Sequence, residues 1–472
     1  MIMPRDFASD TPPPRIIGSE CEYDVQFEHG TKRHHSELLA QFLNAKNAVS
    51  AGLTSAALAL GADMVGAATN ETEQEKLTNY HLFNGGKFYD DISKFAEYAS
   101  PESLGPKEAM LTDFAGVFAL RALAAAAAQN GSAIKGIYRR SGYGVDLYKA
   151  SDTVGYHENY MVPLDIYSNK YFNPIFLGFL ATRHVWAGGG YWDHDNYATN
   201  QKAVGIGVIR GGSMTNEGSK PFYSTKPDEV GPNWSRLEVR LADPLQSPTI
   251  RYINFAVTSL ALRLIEIGFS TRKLAEAGYP DNVAMLRASS VKPRSARTTV
   301  SGKQRSAIDF QYELLDSLKK LAARVELPKD ERAAIPLFER KLNAAEDYIL
   351  HGDSSAATEV EWVAKEQFIN RATLKDGSEE RAVEVDMLWD RVDVDGIGTR
   401  WWQKHSDDDV RYLQQAQHFV RHAPTTTRAL PRGNFVAKHA AHGMANVRWD
   451  SASCNCDTPE KITMSDPYEA AA

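Results

Sequence analysis

An α+β fold is predicted for this chain on three features of its sequence. Residues 15–25, RIIGSECEYDV, read as a buried strand that carries two glutamates. Several later segments repeat apolar residues at helical spacing between capping residues. Short strand-like runs lie between them and again carry acidic residues. The expected architecture is a set of acid-bearing strands with helices packed behind them, and no internal repeat stands out.

Taken in order, residues 1–14 are polar and proline-rich and are expected to form a loose arm. After the first strand, HHSELLAQFLNAKNAVSAGLTSAALAL has helical spacing behind Ser36 as a cap. Residues 61–81 read as a loop or a short helix between linkers, and GGKFYDDI as a short strand. Residues 106–130 predict a long alanine-rich helix. AIKGIYRRS and GVDLYKASDT suggest a hairpin, and NPIFLGFLATRHVWAGGG a helix with a glycine stop. Residues 203–241 hold several short strands. PTIRYINFAVTSLALRLIEIG combines a proline start with a glycine end, the pattern of a helix. Residues 300–385 are helical, with a break near ELPKDERAAIP. VEVDMLWDRVD then opens a smaller C-terminal unit with its own strands and helix.

The 472 residues can fill one large core or two to three domains, and 43% hydrophobic with 24% charged residues is ordinary for a soluble protein. A net charge of −7 without a basic face argues against nucleic-acid wrapping. No apolar stretch reaches the length of a membrane span, and the N-terminus lacks a signal pattern, so a cytoplasmic protein is expected. Three cysteines suit a reducing compartment. Cys454 and Cys456 read as late, exposed thiols rather than half of a metal site.

The chemistry is expected from the acids. In a strand, residues two apart share a face, so Glu20 and Glu22 place two carboxylates side by side where apolar side chains are expected. Acidic residues recur at Asp90, Asp91, Glu97, Glu102 and Glu238. With His157 they form an oxygen-rich set with one nitrogen, which suits Mg²⁺ or Mn²⁺ better than structural zinc. Cations held this way commonly neutralise nucleoside triphosphate oxygens. For any single acid a solvated surface charge is the better reading; for the 20/22 pair it is not. GYHENYMV places His157 in a polar run between strand and helix, where a hydrogen-bonded turn histidine is as good an account as a ligand. SRLEVRLADP puts Arg236, Glu238 and Arg240 on one face, which an exposed sheet would also do. If buried, the same row offers a carboxylate for a cation between two guanidinium groups suited to phosphate oxygens. GIGVIRGG nearly spells a dinucleotide loop but lacks a following helix, and neither a P-loop nor a G-x-S-x-G motif occurs.

RIIGSECEYDV, NGGKFYDD, EYASPES, GYHENY, TRHVWAGGG and PTTTRALPRGNF together resemble, in the same order, segments of the Pup ligase PafA and depupylase Dop family, and SRLEVRLADP is similar to a segment of glutamine synthetase. The likeness runs from about residue 15 to about residue 452. It implies a glutamine synthetase-like catalytic domain with a curved, mainly antiparallel sheet backed by helices, which binds ATP and Mg²⁺ (or Mn²⁺), and a small C-terminal α/β domain. The units would be a flexible arm at 1–14, a catalytic domain at 15–385 with the 61–81 loop near the site, and a C-terminal domain with tail at 386–472. The resemblance also implies site roles. Glu20, Glu22, Glu97, His157 and Glu238 would hold metal, Lys226, Arg236 and Arg240 would bind ATP, and Asp91 would be the catalytic carboxylate. Arg428 and Arg432 would contact Pup or the C-terminal domain. The chain departs from the family at Lys87 and Lys226, where arginine is usual, at Ala96 in place of proline, and at Glu238 in place of histidine.

The activity so implied is ATP- and Mg²⁺-dependent ligation of the C-terminal glutamate of a Pup-type protein to a substrate lysine. The alternatives are Dop-type cleavage of the Pup–lysine isopeptide bond, ligation of a small acid or peptide, and Pup binding without turnover.

Overall fold

The computed structural model describes residues 12–27, 79–90, 95–129, 134–143, 153–193, 196–203, 205–211, 220–226, 230–269, 271–376, 378–392, 396–439, 445–455 and 459–469. The helix expected behind Ser36, residues 61–78 of the expected loop, and Asp91 lie outside them.

Among the described residues the chain builds one ten-stranded sheet. Its strands are β1 (Ile16–Phe27), β2 (Asn79–His81), β3 (Lys87–Asp90), β4 (Ala96–Ala99), β5 (Ser103–Leu104), β6 (Ile134–Tyr138), β7 (Tyr156–Pro163), β8 (Ile206–Arg210), β9 (Lys220–Lys226) and β10 (Trp234–Val239). The order is β8-β9-β10-β7-β1-β4-β3-β2, with β5 and β6 also paired to β1. Every pairing is antiparallel except β8 with β9. The expected mainly antiparallel α+β fold is therefore present.

Period-two alternation gives the sheet two unlike faces. On β1, Ile17, Cys21 and Tyr23 are fully buried. They lie on the face covered by the Pro106–Gln129 and Pro248–Ile267 helices, which also pack on each other. The second helix is buried from Pro248 through Ile265, its polar side chains Arg251, Asn254 and Arg263 included. Ser247 caps it by accepting the Ile250 amide at 3.2 Å, worth about 1 kcal/mol. Gly268, at φ 71°, ends it in the left-handed conformation that glycine tolerates.

Three expectations change. AIKGIY pairs with β1, not with GVDLYKASDT, most of which lies outside the described residues. HENY sits inside β7, at the centre of the sheet and not between strand and helix. Cys454 is buried, while Cys456 lies outside the described residues. The break expected near ELPKDERAAIP is present at residues 323–328, between the Ala307–Ala322 and Lys329–His351 helices, and Pro336 lies within the second of these without ending it.

VEVDMLWD forms the end of the Glu379–Asp390 helix, and Trp389, Val392, Trp402, Tyr412 and Val420 all belong to the main core. A separate small core among the described residues consists of Phe435, Val436, Val447, Ala452, Cys454 and Met464, under a three-stranded sheet. The break in packing thus falls after Val420, well past residue 385. This small unit is tied to the main sheet by Arg428 and Arg432, which both pair with Glu102. Arg432 also donates to the Gly85 carbonyl at 2.8 Å. Gly85 (φ 80°) packs against Ala429 so closely that a Cβ would fall 2.5 Å from its carbonyl oxygen. No described helix is long and apolar enough to cross a membrane.

Candidate active site

The open face of the sheet carries the even-numbered residues of β1 and their cross-strand partners. Glu20 pairs with His157 on β7, Asn159 pairs with Glu238 on β10, and Glu22 pairs with Glu97 on β4. Three of the five expected ligands come together: ligand atoms of Glu20, His157 and Glu238 all lie within 4.8 Å of one another. His157 Nδ1 is 3.4 Å from Glu20 Oε2 and 3.9 Å from Glu238 Oε1. Glu22 and Glu97 stand opposite each other on the other side of β1, with Glu22 Oε2 accepting the Gly155 amide at 2.6 Å. Gly155 has no side chain for a reason of space, since a Cβ would sit 2.5 Å from Glu22 Oε1.

A ring of cations surrounds the first group. Lys226 Nζ is 2.7 Å from Glu238 Oε1, Arg240 Nε is 2.6 Å from Glu238 Oε2, and Arg236 is 2.7 Å from Glu20 Oε1. Arg236 also donates to Asn159 at 3.2 Å, and the Ser224 hydroxyl donates to Glu238. The row Arg236–Glu238–Arg240 expected from the two-residue spacing therefore does face one side.

The electrostatics follow from these contacts. Burial would push the Glu20 carboxyl up, but Arg236 and His157 hold it well below the usual carboxylate range. Burial and Glu20 likewise oppose ionisation of Glu238, yet His157, Lys226 and Arg240 outweigh them and bring it to about 2. Burial pulls His157 down against both carboxylates, favouring the neutral imidazole that can ligate metal. Two ionised carboxylates and one neutral imidazole fit a hard divalent cation of the Mg²⁺ or Mn²⁺ kind.

The structure adds residues that the sequence reading missed. Tyr89 on β3 lies across from Glu97, and burial together with that carboxylate pushes its hydroxyl well up. Lys87 lies 4.1 Å over the Tyr89 ring. Lys202 is buried in a loop, where its ammonium donates to the carbonyls of Tyr156 and Arg240, each at 2.7 Å. Burial and Lys220 lower it to about 7, against the pull of Glu22 and Asp243. Tyr89 and Asn159 could have been found from strand periodicity alone; nothing local marks Lys202. Glu102 faces Arg428 and Arg432, apart from the cation group. A cavity of about 70 Å³ separates the sheet from the C-terminal unit, lined by Ile16, Glu20, Met161, Arg236, Trp449 and Pro467 among others.

The chain as a whole is similar to known proteins. The chain is similar to Pup–protein ligases of Nocardioides sp., at 27% identity over 97% of both chains, and of Mycobacterium leprae, at 24% over 97% of both. Its fold is similar to a crystal structure of PafA in complex with Pup, with TM-score 0.76 and 20% identity over 97% of this chain and 90% of that one. It is also similar to PafA in complex with ADP, with TM-score 0.71 and 22% identity over 84% and 87%. The family model described as Pup-ligase protein matches residues 15–453, so the chain belongs to the Pup-ligase family.

Proposed function

We propose that this chain is an ATP-dependent Pup–protein ligase, which joins the C-terminal glutamate of a Pup-type protein to a substrate lysine. Membership of the family supports the reaction class, and the observation that carries the site is the group Glu20–His157–Glu238 ringed by Lys226, Arg236 and Arg240. Glu20, His157 and Glu238 would hold one divalent cation, and Glu22 with Glu97 would hold another. Such cations supply neutralisation of the triphosphate charge.

In this reading a glutamate carboxylate oxygen attacks the γ-phosphorus, and ADP leaves. Lys226, Arg236 and Arg240 orient the phosphate oxygens and offset the charge that spreads over them during transfer. The lysine amine then attacks the acyl phosphate carbon, inorganic phosphate departs, and Asp91 accepts the amine proton. Arg428 and Arg432 hold the C-terminal unit against the sheet through Glu102.

The test is incubation with ATP, Mg²⁺, a Pup-type protein ending in glutamate and a lysine-bearing protein. A covalent conjugate should form with one ADP per bond. Cleavage of a preformed conjugate without net ligation would place the chain on the depupylase side. Nucleotide binding with no ADP release across several acceptors would make it a binding module.

A further inference from the structure

Behind the cation group, on the helix-covered face, lies a buried carboxylate to which the expected chemistry gives no role. Asp113 sits on the Pro106–Gln129 helix and is fully buried. Its Oδ1 accepts from Ser19 Oγ at 2.7 Å and from the Tyr156 hydroxyl at 3.2 Å. Its Oδ2 pairs with Arg139 and lies 3.6 Å from Arg251 Nε. Ser19 immediately precedes Glu20, and Tyr156 immediately precedes His157, the two residues that face each other across β1 and β7.

We infer that Asp113 is a positioning residue, which sets the spacing of Glu20 and His157 from behind through Ser19 and Tyr156. The inference rests on the cation reading of the site. Strand geometry couples the two faces, since a residue held on one side fixes the direction of its neighbour on the other. Tyr156 is held at three points. Asp113 takes its hydroxyl, the Arg251 guanidinium lies 4.1 Å from its ring centre, and Lys202 takes its carbonyl at 2.7 Å. Ser19 is held by Asp113, by Ser100 Oγ, which accepts its amide at 2.8 Å, and by the Ser100 amide, which donates to its carbonyl at 2.9 Å. A buried ionic group is a weak source of stability, because apolar side chains of similar volume commonly do as well. A single directional acceptor shared by two hydroxyls does something that packing cannot: it ties two strands to one point. A ligand pair misplaced by a fraction of an ångström loses affinity, since Mg²⁺ and Mn²⁺ sites tolerate little distortion.

The experiment leaves Asp113 in place, because removing it would strand two buried guanidinium groups. Ser19→Ala and Tyr156→Phe each delete one bond to it in the full chain. Ser103→Ala is the control, deleting a buried 2.8 Å bond to Thr112 on the same helix that does not lead to a ligand residue. Mn²⁺ binding without nucleotide is read by the paramagnetic resonance of free Mn²⁺, and the melting temperature is taken alongside. Ser19→Ala and Tyr156→Phe should weaken Mn²⁺ binding about three- to tenfold, and Ser103→Ala by less than about twofold, at similar losses of melting temperature. Unchanged Mn²⁺ affinity in both variants, with wild-type binding intact, overturns the positioning role and leaves the cation reading standing. Wild-type protein that binds no Mn²⁺ overturns the cation reading, and this inference with it.

Discussion

Glu22 and Glu97 stand directly opposite each other on neighbouring antiparallel strands, both nearly buried. Like charges in that relationship destabilise a sheet by a few tenths to about 1 kcal/mol unless something positive lies between them. Glu22→Gln keeps an acceptor for the Gly155 amide and removes the repulsion. Without divalent cation the variant should melt at or slightly above the wild-type temperature, and the rise that Mg²⁺ produces in the wild type should shrink markedly. Scanning calorimetry with and without Mg²⁺ checks both. An undiminished Mg²⁺ effect would remove Glu22 from the ligand set.

Lys226 is more than a third exposed and reaches Glu238 from the rim of the site. Lys226→Met should therefore fold normally and raise the KM for ATP by about tenfold, the loss of one charge-assisted contact to phosphate. Lys226→Arg should keep KM near or below the wild-type value, because a planar guanidinium adds a second donor. A methionine variant with unchanged KM would show that the lysine serves only Glu238.

Acid should loosen the joint between the two cores. Burial pushes Glu102 up, but Arg432 and Arg428 outweigh it and bring the carboxyl to about 2, against about 4.5 when unfolded. The unfolded chain then binds more protons between these values. The stabilisation is present above about pH 4.5 and fades as pH falls towards 2, with an upper limit of about 3 kcal/mol. Glu102→Gln should lower stability at pH 7 and flatten the acid limb of a urea-midpoint profile. An unaltered acid limb would count against the joint.

Glu361 should act with the opposite sign. Burial pushes it up to about 7, even though the amides of Gln246 and Ser247 and the Trp389 indole donate to it. The folded chain keeps a proton between about pH 4.5 and 7 that the unfolded chain releases. Its contribution is complete below about pH 4.5 and is lost as pH rises through 7, again by about 3 kcal/mol at most. Glu361→Gln should flatten the profile between pH 5 and 7 without touching the acid limb. An unchanged slope there would mean that this carboxyl ionises normally.

The strands and most helices of the described chain were legible because their signals are local. Alternation exposed the acid pair of β1 and the Arg236–Glu238–Arg240 row, while a proline and a glycine bounded the Pro248–Ile267 helix. What stayed hidden depends on which strands become neighbours. His157 reads as a turn residue until β7 is known to lie between β1 and β10. The split of the acids, with Glu20 going to one group and Glu22 to the other, is a property of register. Lys202 is a lone lysine between Gln201 and Ala203, and only its burial gives it meaning. The boundary expected at 385 rests on a local signal of the same kind. The change in composition there is real, but Trp389 and Trp402 return to the main core, which no window of sequence records.

The cavity beside Glu20 has one wall from Ile16 and another from Pro467, and this sets a clock on biosynthesis. The carboxylates of β1 leave the ribosome well before Pro467, and this cavity cannot close until residue 467 has emerged. At about 5–20 residues per second, translating the intervening chain takes on the order of 20–90 s. During that time the cavity lacks the wall that Pro467 supplies, however early the sheet begins to form.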